Sequence, residues 1–535
     1  METTVTARVP AREADWRFLL PRAEGGVFNH LLLLGGSAGL GAAVADRGIA
    51  RHVSRSVGDA PADVVVVLAD ADVDIESLLP AIAEAAFVYI EIDRRLPGRR
   101  TLTPRRLTRT LARHGLDMAT TYWVKPGFPR RDMYLPFGHR GALRWYLKSI
   151  FRATSPGRRL LKAAMERFAG RAFAAVAPCY AITAVRGRAR ALPAVLEDTC
   201  AGRETIEPVL LASGQADWSR LVFMLFDGDT DRPTAVVKLP RMAGLNYAVE
   251  QEHAVLREVS AMLPPALLPS IPSSTFARID GLAVTTETCA RGTSVATRSG
   301  PGADGSLRDL RCAAAWLTSF HRETTRGHAD SREWVAQELL ARVCAEYAAR
   351  FGRTAAESRL FDAALHSVDA ATGDLPIVWQ HADFGPWNIY RDGDDVSVID
   401  WEVARRGPAL ADLLYFVLHW SAAVRGCQSA HDRVRHFESL FCGTMPTDPI
   451  GRAVYGELLD YMRAVDVPAR LFPHILLYTV AEQAIDRARR LEQMGQPASR
   501  DAAANEYVGE MDVLARHARP LFHGARTREV LRAAS

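Results

Sequence analysis

The sequence is poor in the features that mark several protein classes. Its seven cysteines, at 179, 200, 289, 312, 344, 427 and 442, are scattered and odd in number, with no Cys-x-x-Cys and no Cys/His cluster. That argues against a zinc site or a disulfide frame, and for reduced, mostly buried thiols in a cytoplasmic protein. Apolar runs such as Leu31–Leu34 and Val64–Ala69 fall far short of the roughly 20 residues that a membrane span needs, so no span is expected. Met1–Arg8 contains no apolar stretch, so no secretory leader is expected. The formal net charge is only +4. An arginine cluster (Arg94, Arg95, Arg99, Arg100, Arg105, Arg106) lacks interleaved aromatics. It reads as a solvated face, with no nucleic-acid partner expected.

What remains is an ordinary globular composition, 48% hydrophobic and 24% charged, over 535 residues. That length implies two or three domains. Residues 31–48 run from four leucines through Gly35-Gly-Ser-Ala-Gly39 into an Ala/Val helix, a strand, turn and helix N-terminus suited to an anion. Strands are predicted at Ile49–Ser54, Val64–Ala69 and Phe87–Ile92, with a helix at Ile75–Ala86. This alternation implies a parallel, doubly wound sheet. Asp70, Asp72 and Asp74 read as a solvated turn and helix cap rather than a metal site. Met118–Val124, Asp132–Leu135 and Pro178–Val185 read as further strands.

A Rossmann-like parallel sheet ending in an antiparallel pair resembles the class I S-adenosylmethionine-dependent methyltransferases, which implies S-adenosylmethionine as ligand. One departure stands against that ligand. The family's ribose-binding acid should end the second strand, where this chain has Arg51-His-Val-Ser-Arg-Ser. The region therefore reads as a degenerate methyltransferase-like domain, with a nucleotide- or sugar-binding module and a non-catalytic partner domain as alternatives.

Residues 186–199 lose periodicity, which places a boundary near 188 and a linker over 189–200. Three strands follow at Pro208–Ala212, Leu221–Phe226 and Thr234–Lys238. A helix over Ala248–Met262 carries Glu252, and two more strands span Thr275–Ile279 and Leu282–Glu287. This order resembles the small lobe of kinases. The resemblance implies that Lys238 holds the nucleotide's α- and β-phosphates, that Glu252 steadies Lys238, and that the loop with Ser213 and Gly214 covers the phosphates. That loop (212–218) has one glycine where protein kinases have three.

Further on, Leu307–His321 reads as a buried helical stripe, and helices are predicted over 332–350 and 355–371. The strand 375–379 then leads into His381-Ala-Asp-Phe-Gly-Pro-Trp-Asn388. After the turn Arg391–Asp395 comes the strand Val396–Ile399 and then Asp400-Trp401-Glu402. The pattern His-x-Asp-x-x-x-x-Asn followed by Ile-Asp-Trp-Glu resembles the aminoglycoside phosphotransferase and choline kinase superfamily, over residues 201–535. The resemblance implies Asp383 as the residue that accepts the acceptor hydroxyl's proton. It implies Asn388 and Asp400 as Mg²⁺ ligands, with His381 and Asp412 as structural support. Asp383-Phe-Gly385 is therefore not the metal-binding triplet of protein kinases. Trp387 and Trp401 read as core packing. The mainly helical remainder, 413–535, is the implied acceptor lobe. His419, Glu482 and Asp486 could face an acceptor, although solvated or core positions suit them better.

These readings combine into an α/β N-terminal Rossmann-like domain (1–188), followed by an α+β two-lobed protein-kinase-like domain. Its small lobe spans 201–292, and its largely helical catalytic and acceptor-binding lobe spans 293–535. The implied reaction moves the γ-phosphate of Mg²⁺-bound ATP or GTP to a hydroxyl of a small molecule, of aminoglycoside, sugar or amino-alcohol type. The alternatives are a catalytically idle nucleotide-binding or scaffold protein and a bifunctional methyltransferase–kinase.

Overall fold

In the computed structural model the described residues are 11–23, 26–58, 60–128, 130–151, 155–167, 177–187, 192–202, 205–214, 217–298, 306–325, 328–329, 335–368, 375–443 and 446–523. The boundary expected near 188, the first residues of the helix expected from 332 and the last of the helix expected to 371 lie outside them. The chain forms two compact units, Met1–His253 with Ser274–Cys289, and Ala254–Ser273 with Ala290–Ser535.

The first unit is built on one mixed sheet of twelve strands. Its strands are β1 (Phe28–Leu34), β2 (Ala50–Ser54), β3 (Val64–Val67), β4 (Phe87–Asp93), β5 (Met118–Lys125), β6 (Met133–Pro136), β7 (Cys179–Val185), β8 (Ile206–Leu211), β9 (Leu221–Asp227), β10 (Ala235–Leu239), β11 (Ser274–Ile279) and β12 (Leu282–Thr288). Their order across the sheet is β11-β12-β10-β9-β8-β6-β5-β7-β4-β3-β1-β2. β2, β1, β3 and β4 run parallel, and every other pairing is antiparallel. The parallel strands β3 and β4 are buried along their whole length. Such strands read as unbroken apolar runs of β-branched residues. Met133 and Tyr134 of β6 register with Leu211 and Leu210 of β8. The strands before 188 and those after 201 therefore share one hydrogen-bonded sheet, a pairing with no signal in either segment alone.

Several expectations are corrected here. The helix expected over Ile75–Ala86 is a 3-10 turn, Ile75–Leu78, followed by Leu79–Glu84, because Pro80 lacks the amide that a continuous helix would need. Asp74 does cap this element, accepting from the Glu76 amide. Asp70 is an exposed turn residue, as expected, and its carboxylate also accepts the Gly36 amide at 2.9 and 3.1 Å. The arginine cluster is only partly solvated. Arg99 donates to the carbonyls of Ala69 and Ala71, and Arg94 to those of Arg100 and Ala177.

An N-terminal 3-10 segment, Ala11–Leu19, packs Trp16 on Tyr89 with ring centroids 5.8 Å apart. Its Asp15 meets the fully buried Arg241 at 3.0 Å. Arg241 also donates to the carbonyls of Ala212 (3.0 Å) and Ser219 (2.6 Å), tying down both ends of the 212–219 loop. Removing one member of a buried ion pair leaves the other desolvated and unpaired, at a cost of about 3–5 kcal/mol. Arg241→Met is expected to lose about that much in urea unfolding, and adding Asp15→Asn to restore part of it. A single variant within about 1 kcal/mol of wild type would contradict this role for the pair.

The second unit is mainly helical. Ser306–Thr324 is its central helix, burying Leu310, Ala313, Leu317 and Phe320, the stripe read from the sequence. The helix expected over 332–350 is a π-helical stretch, Val335–Ala341, running into Arg342–Phe351. Ala355–Ser367 opens on a capping box, with Thr354 and Glu357 each accepting the other's backbone amide. The strand Leu375–Gln380 pairs with Arg405–Pro408, and not with the strand near 396. Asp395–Val398 pairs instead with Ile389–Asp392, a strand the sequence reading missed. Gly393, at φ +63°, makes that hairpin's tight turn. The buried pair Arg391–Asp309, at 2.5 Å, fastens the hairpin to the central helix. Further helices of the unit include Ala411–Val424, Ala430–Phe437, Pro449–Ala464, Phe472–Gln493 and Glu506–Arg516. Among the described residues, no helix is long and apolar enough to cross a membrane.

Candidate active site

Each unit, taken by itself, holds one cluster of the residues singled out in the sequence. In the first unit, Lys238 on β10 and Glu252 on the helix Asn246–Ser260 form a 2.7 Å ion pair. Glu287 on β12, not anticipated from sequence, is 2.8 Å from the same ammonium. Arg220 pairs with the other oxygen of Glu252. Two cations and two carboxylates thus share a site in which Lys238, Glu252 and Glu287 are all buried. Burial raises the Glu287 carboxyl above its usual range, and the Glu252 charge adds to this while Lys238 opposes it. Strand pairing brings it there: β12 lies beside β10 with Thr285 opposite Lys238, and Glu287, two residues on, shares the face of Thr285.

Ser213 and Gly214 lie at an exposed turn after β8. Gly214 is at φ +97°, and a Cβ there would stand 2.3 Å from Ser219 Oγ, so only glycine fits. The middle of the loop, residues 215 and 216, is outside the described residues.

In the second unit the loop after strand Leu375–Gln380 is held from below. Asp412, in the first turn of helix Ala411–Val424, accepts the amides of His381 (2.7 Å) and Ala382 (2.9 Å). His381 Nε2 donates to the Ile399 carbonyl at 2.8 Å, and its Nδ1 accepts the Asp383 amide at 3.3 Å. Ala382 and Asp400 have φ of +62° and +70°. Non-glycine residues rarely adopt this left-handed conformation, which costs about 1–3 kcal/mol each and clusters at functional sites. Behind Asp412 stands a buried support that sequence reasoning did not find. Tyr461 accepts the Leu410 amide at 3.1 Å and bonds His321 Nδ1 at 2.5 Å, while His321 Nε2 faces Asp412 at 3.6 Å. His321 sat inside the apolar stripe of its helix and read as core.

Asp383 is half-buried and gripped on both oxygens. Tyr415 donates to Oδ1 at 2.9 Å and Asn388 Nδ2 to Oδ2 at 3.1 Å. Burial raises the Asp383 carboxyl above its ordinary value, and the Asp400 charge adds to this, while Arg490 and the Tyr415 bond oppose it. Burial also raises the Tyr415 phenol well above its usual value, so it stays a proton donor.

Asn388 spends its amide hydrogens on Asp383, at 3.0 Å to the carbonyl and 3.1 Å to the carboxylate. Its oxygen is left as an acceptor, and Asp400 lies close enough for its charge to act on Asp383. A neutral oxygen and a carboxylate are hard donors of the kind Mg²⁺ takes, with water and phosphate oxygens supplying the remainder. Among the described residues there is no cluster of three or more His, Cys, Asp or Glu that could hold a metal alone. These two side chains therefore fit a metal shared with a phosphate ligand better than an all-protein cage.

Trp401 is fully buried and bonds the Val398 carbonyl, as core packing requires. Trp387 is not core: it is 40% exposed and lines a cavity of about 420 Å³. Tyr415, His419, Asp486, Arg490 and Tyr507 line it too. Glu482 is instead engaged by Arg342 and Arg405.

Residues 214–438 match the model of the family described as "Phosphotransferase enzyme family". Over this segment the resemblance drawn from the His381–Asn388 and Asp400 pattern is borne out. The match begins at 214 and does not extend to the methyltransferase-like region. Among curated proteins, none matches this chain. Similar solved structures include a thermostable mutant of the aminoglycoside phosphotransferase APH(4)-Ia in its apo form, 15% identical, covering 60% of this chain and 97% of that one, with a TM-score of 0.36. The amicoumacin kinase hAmiN, in complex with AMP-PNP, Ca²⁺ and Ami, is 13% identical, covering 62% and 93%, with a TM-score of 0.34. A choline/ethanolamine kinase family protein from Mesorhizobium loti is 15% identical, covering 63% and 94%, with a TM-score of 0.31.

Proposed function

We propose that this chain is a phosphotransferase moving the γ-phosphoryl group of a Mg²⁺-bound nucleotide, ATP or GTP, to a hydroxyl of a small molecule, with a two-lobed kinase-like domain over 201–535. The observation that carries this reading is the gripped carboxylate of Asp383, in a family-matched loop beside a cavity large enough for a small acceptor. Asp383 orients the acceptor hydroxyl and takes its proton as the new P–O bond forms and the bond from the γ-phosphorus to the bridging oxygen breaks, the nucleoside diphosphate leaving. Lys238 neutralises the phosphates that are not transferred, with Glu252 and Glu287 holding its ammonium in place. Asn388 and Asp400 would hold the metal, which would supply charge neutralisation at the phosphates. The test is a screen of Mg²⁺-dependent nucleotide consumption over candidate alcohols and sugars, with mass spectrometry of the product. Consumption without a phosphorylated acceptor, under every condition, would count against the proposal.

A pH profile tests the Asp383 role separately. Transfer requires the ionised carboxylate, and its raised pKa places the acid limb of kcat/KM above the ordinary aspartate value of 3.8. The Tyr415 bond favours the ionised form, so Tyr415→Phe should move that limb to higher pH. It should also lower kcat by about tenfold, the scale of one hydrogen bond to a charged group. A limb that stays put or moves to lower pH would remove Tyr415 from this role.

For residues 1–188 we propose a non-catalytic partner domain with Rossmann-like ancestry. The glycine-rich turn is already served by the chain itself, with Asp70 on the Gly36 amide, Arg55 on the Gly36 carbonyl and Glu13 on Ser37. Calorimetric titration of the full chain with S-adenosylmethionine is expected to show no binding, and saturable binding would overturn this part.

A further inference from the structure

The cavity beside Asp383 has a charge pattern that says what it can hold. Three of its lining residues are arginines, Arg433, Arg487 and Arg490, and two are carboxylates, Asp486 and Glu506. Both carboxylates are already committed. Glu506 pairs with Arg433 at 2.5 Å, and Asp486 with Arg489 at 2.9 Å and Arg405 at 3.5 Å. Arg487 spends one N–H on the Ala504 carbonyl at 3.3 Å. Arg490 has no hydrogen-bond or ion-pair partner at bonding distance among the described residues, although Asp383, Asp486 and Glu402 act on its charge from farther off. The aromatic side of the cavity adds no charge to offset this. His419 is half-buried, and desolvation pushes it down to about 3, with the Arg433 charge adding to this, so its ring is neutral at physiological pH. Trp387 stands edge-on to both Tyr415 and His419, with centroids 6.1 and 5.1 Å away, and offers its exposed surface to the cavity.

A cationic acceptor would find spare guanidinium groups here and no spare carboxylate. We therefore propose that the acceptor is an anionic alcohol. It carries a carboxylate or a phosphate that Arg490 binds with help from Arg487, and its hydroxyl reaches Asp383 while its carbon skeleton rests on Trp387. A planar guanidinium suits either oxyanion, through paired N–H donors. The charge also serves the chemistry, because an anionic acceptor must approach a polyanionic nucleotide and the Asp383 carboxylate. A fixed cation offsets that repulsion at its nearest point.

This inference rests on the phosphotransferase reading above, and the experiment separates the two. Nucleotide consumption by the full chain with Mg²⁺ is measured against matched acceptors: a neutral sugar, an amino sugar, a sugar acid and a sugar phosphate. The expected result is a preference for the sugar acid or the sugar phosphate over the amino sugar. The comparison of those two arms says which oxyanion is bound. In Arg490→Gln, the ratio of KM for the preferred anionic acceptor to KM for the neutral sugar should rise about tenfold to a hundredfold, the scale of a lost charged hydrogen bond. Arg490→Lys should recover part of it. Preference for the amino sugar, or a KM ratio unmoved by Arg490→Gln, overturns the anionic acceptor while leaving the transferase reading intact. If no acceptor is phosphorylated and Mg²⁺–nucleotide does not bind, the transferase reading falls and this inference falls with it.

Discussion

Asp383→Ala is expected to lower phosphoryl transfer by about 10²–10⁴-fold, the range that a positioned general base supplies. Mg²⁺–nucleotide affinity should stay within about twofold of wild type, because the side chain accepts from the Tyr415 hydroxyl, Asn388 Nδ2 and Trp387 Nε1 and does not engage the Asn388 oxygen. The variant is informative because the loop does not depend on that carboxylate for its shape. Asp412 holds the His381 and Ala382 amides, and His381 ties the loop to the Ile399 carbonyl. Stopped-flow transfer rates and titration with a non-hydrolysable nucleotide separate chemistry from binding. Turnover close to wild type in the alanine variant would sink the assignment of Asp383.

Lys238→Met is expected to have a second large effect, on stability as well as binding. The ammonium is shared by Glu252 and Glu287, both almost wholly buried. Without it, Glu252 retains Arg220, but Glu287 faces another carboxylate with no cation at bonding distance among the described residues. A stability loss of about 3–5 kcal/mol follows, with nucleotide affinity falling sharply. Adding Glu287→Gln should recover much of the stability and none of the nucleotide binding, because the neutral amide removes the stranded charge without replacing the phosphate-neutralising cation. Denaturant unfolding and nucleotide titration of the single and double variants check both halves. A double variant that binds nucleotide normally would show that Lys238 has no phosphate role.

Much of the local architecture was legible in the sequence because its signals are local. The run Val64–Val67 and the alternation through Leu221–Asp227 name strands, and Thr354 with Glu357 marks a helix start. Lys238 followed by Glu252 was legible as a strand cation and a helix anion in a fixed order. The missed strand Ile389–Asp392 had a weaker signal, since only Ile389 and Arg391 of its four residues are buried and one of these is charged. Trp387 was misjudged for a related reason. A tryptophan between Pro386 and Asn388 reads as core by type, and only the cavity beside helix Ala411–Val424 shows that it faces solvent.

By itself the sequence determined which side chains are available for chemistry. His381, Asp383 and Asn388 fall within eight residues, which confines them to one short loop, because backbone reaches at most about 3.3–3.6 Å per residue. It could not say that β6 and β8 would join two strand sets into one sheet, because that pairing rests on backbone hydrogen bonds, which any residue but proline can supply. Nor could it reveal Glu287 beside Lys238, Asp15 under Arg241, or Tyr461 and His321 behind Asp412. The last two pairs lie far apart in the chain, and their attraction depends on burial, which only the packed chain creates. Tertiary structure also decided the charge of the cavity beside Trp387. Arg490 is one arginine among many in the sequence, and it became a candidate ligand only once the neighbouring carboxylates were seen to be paired elsewhere.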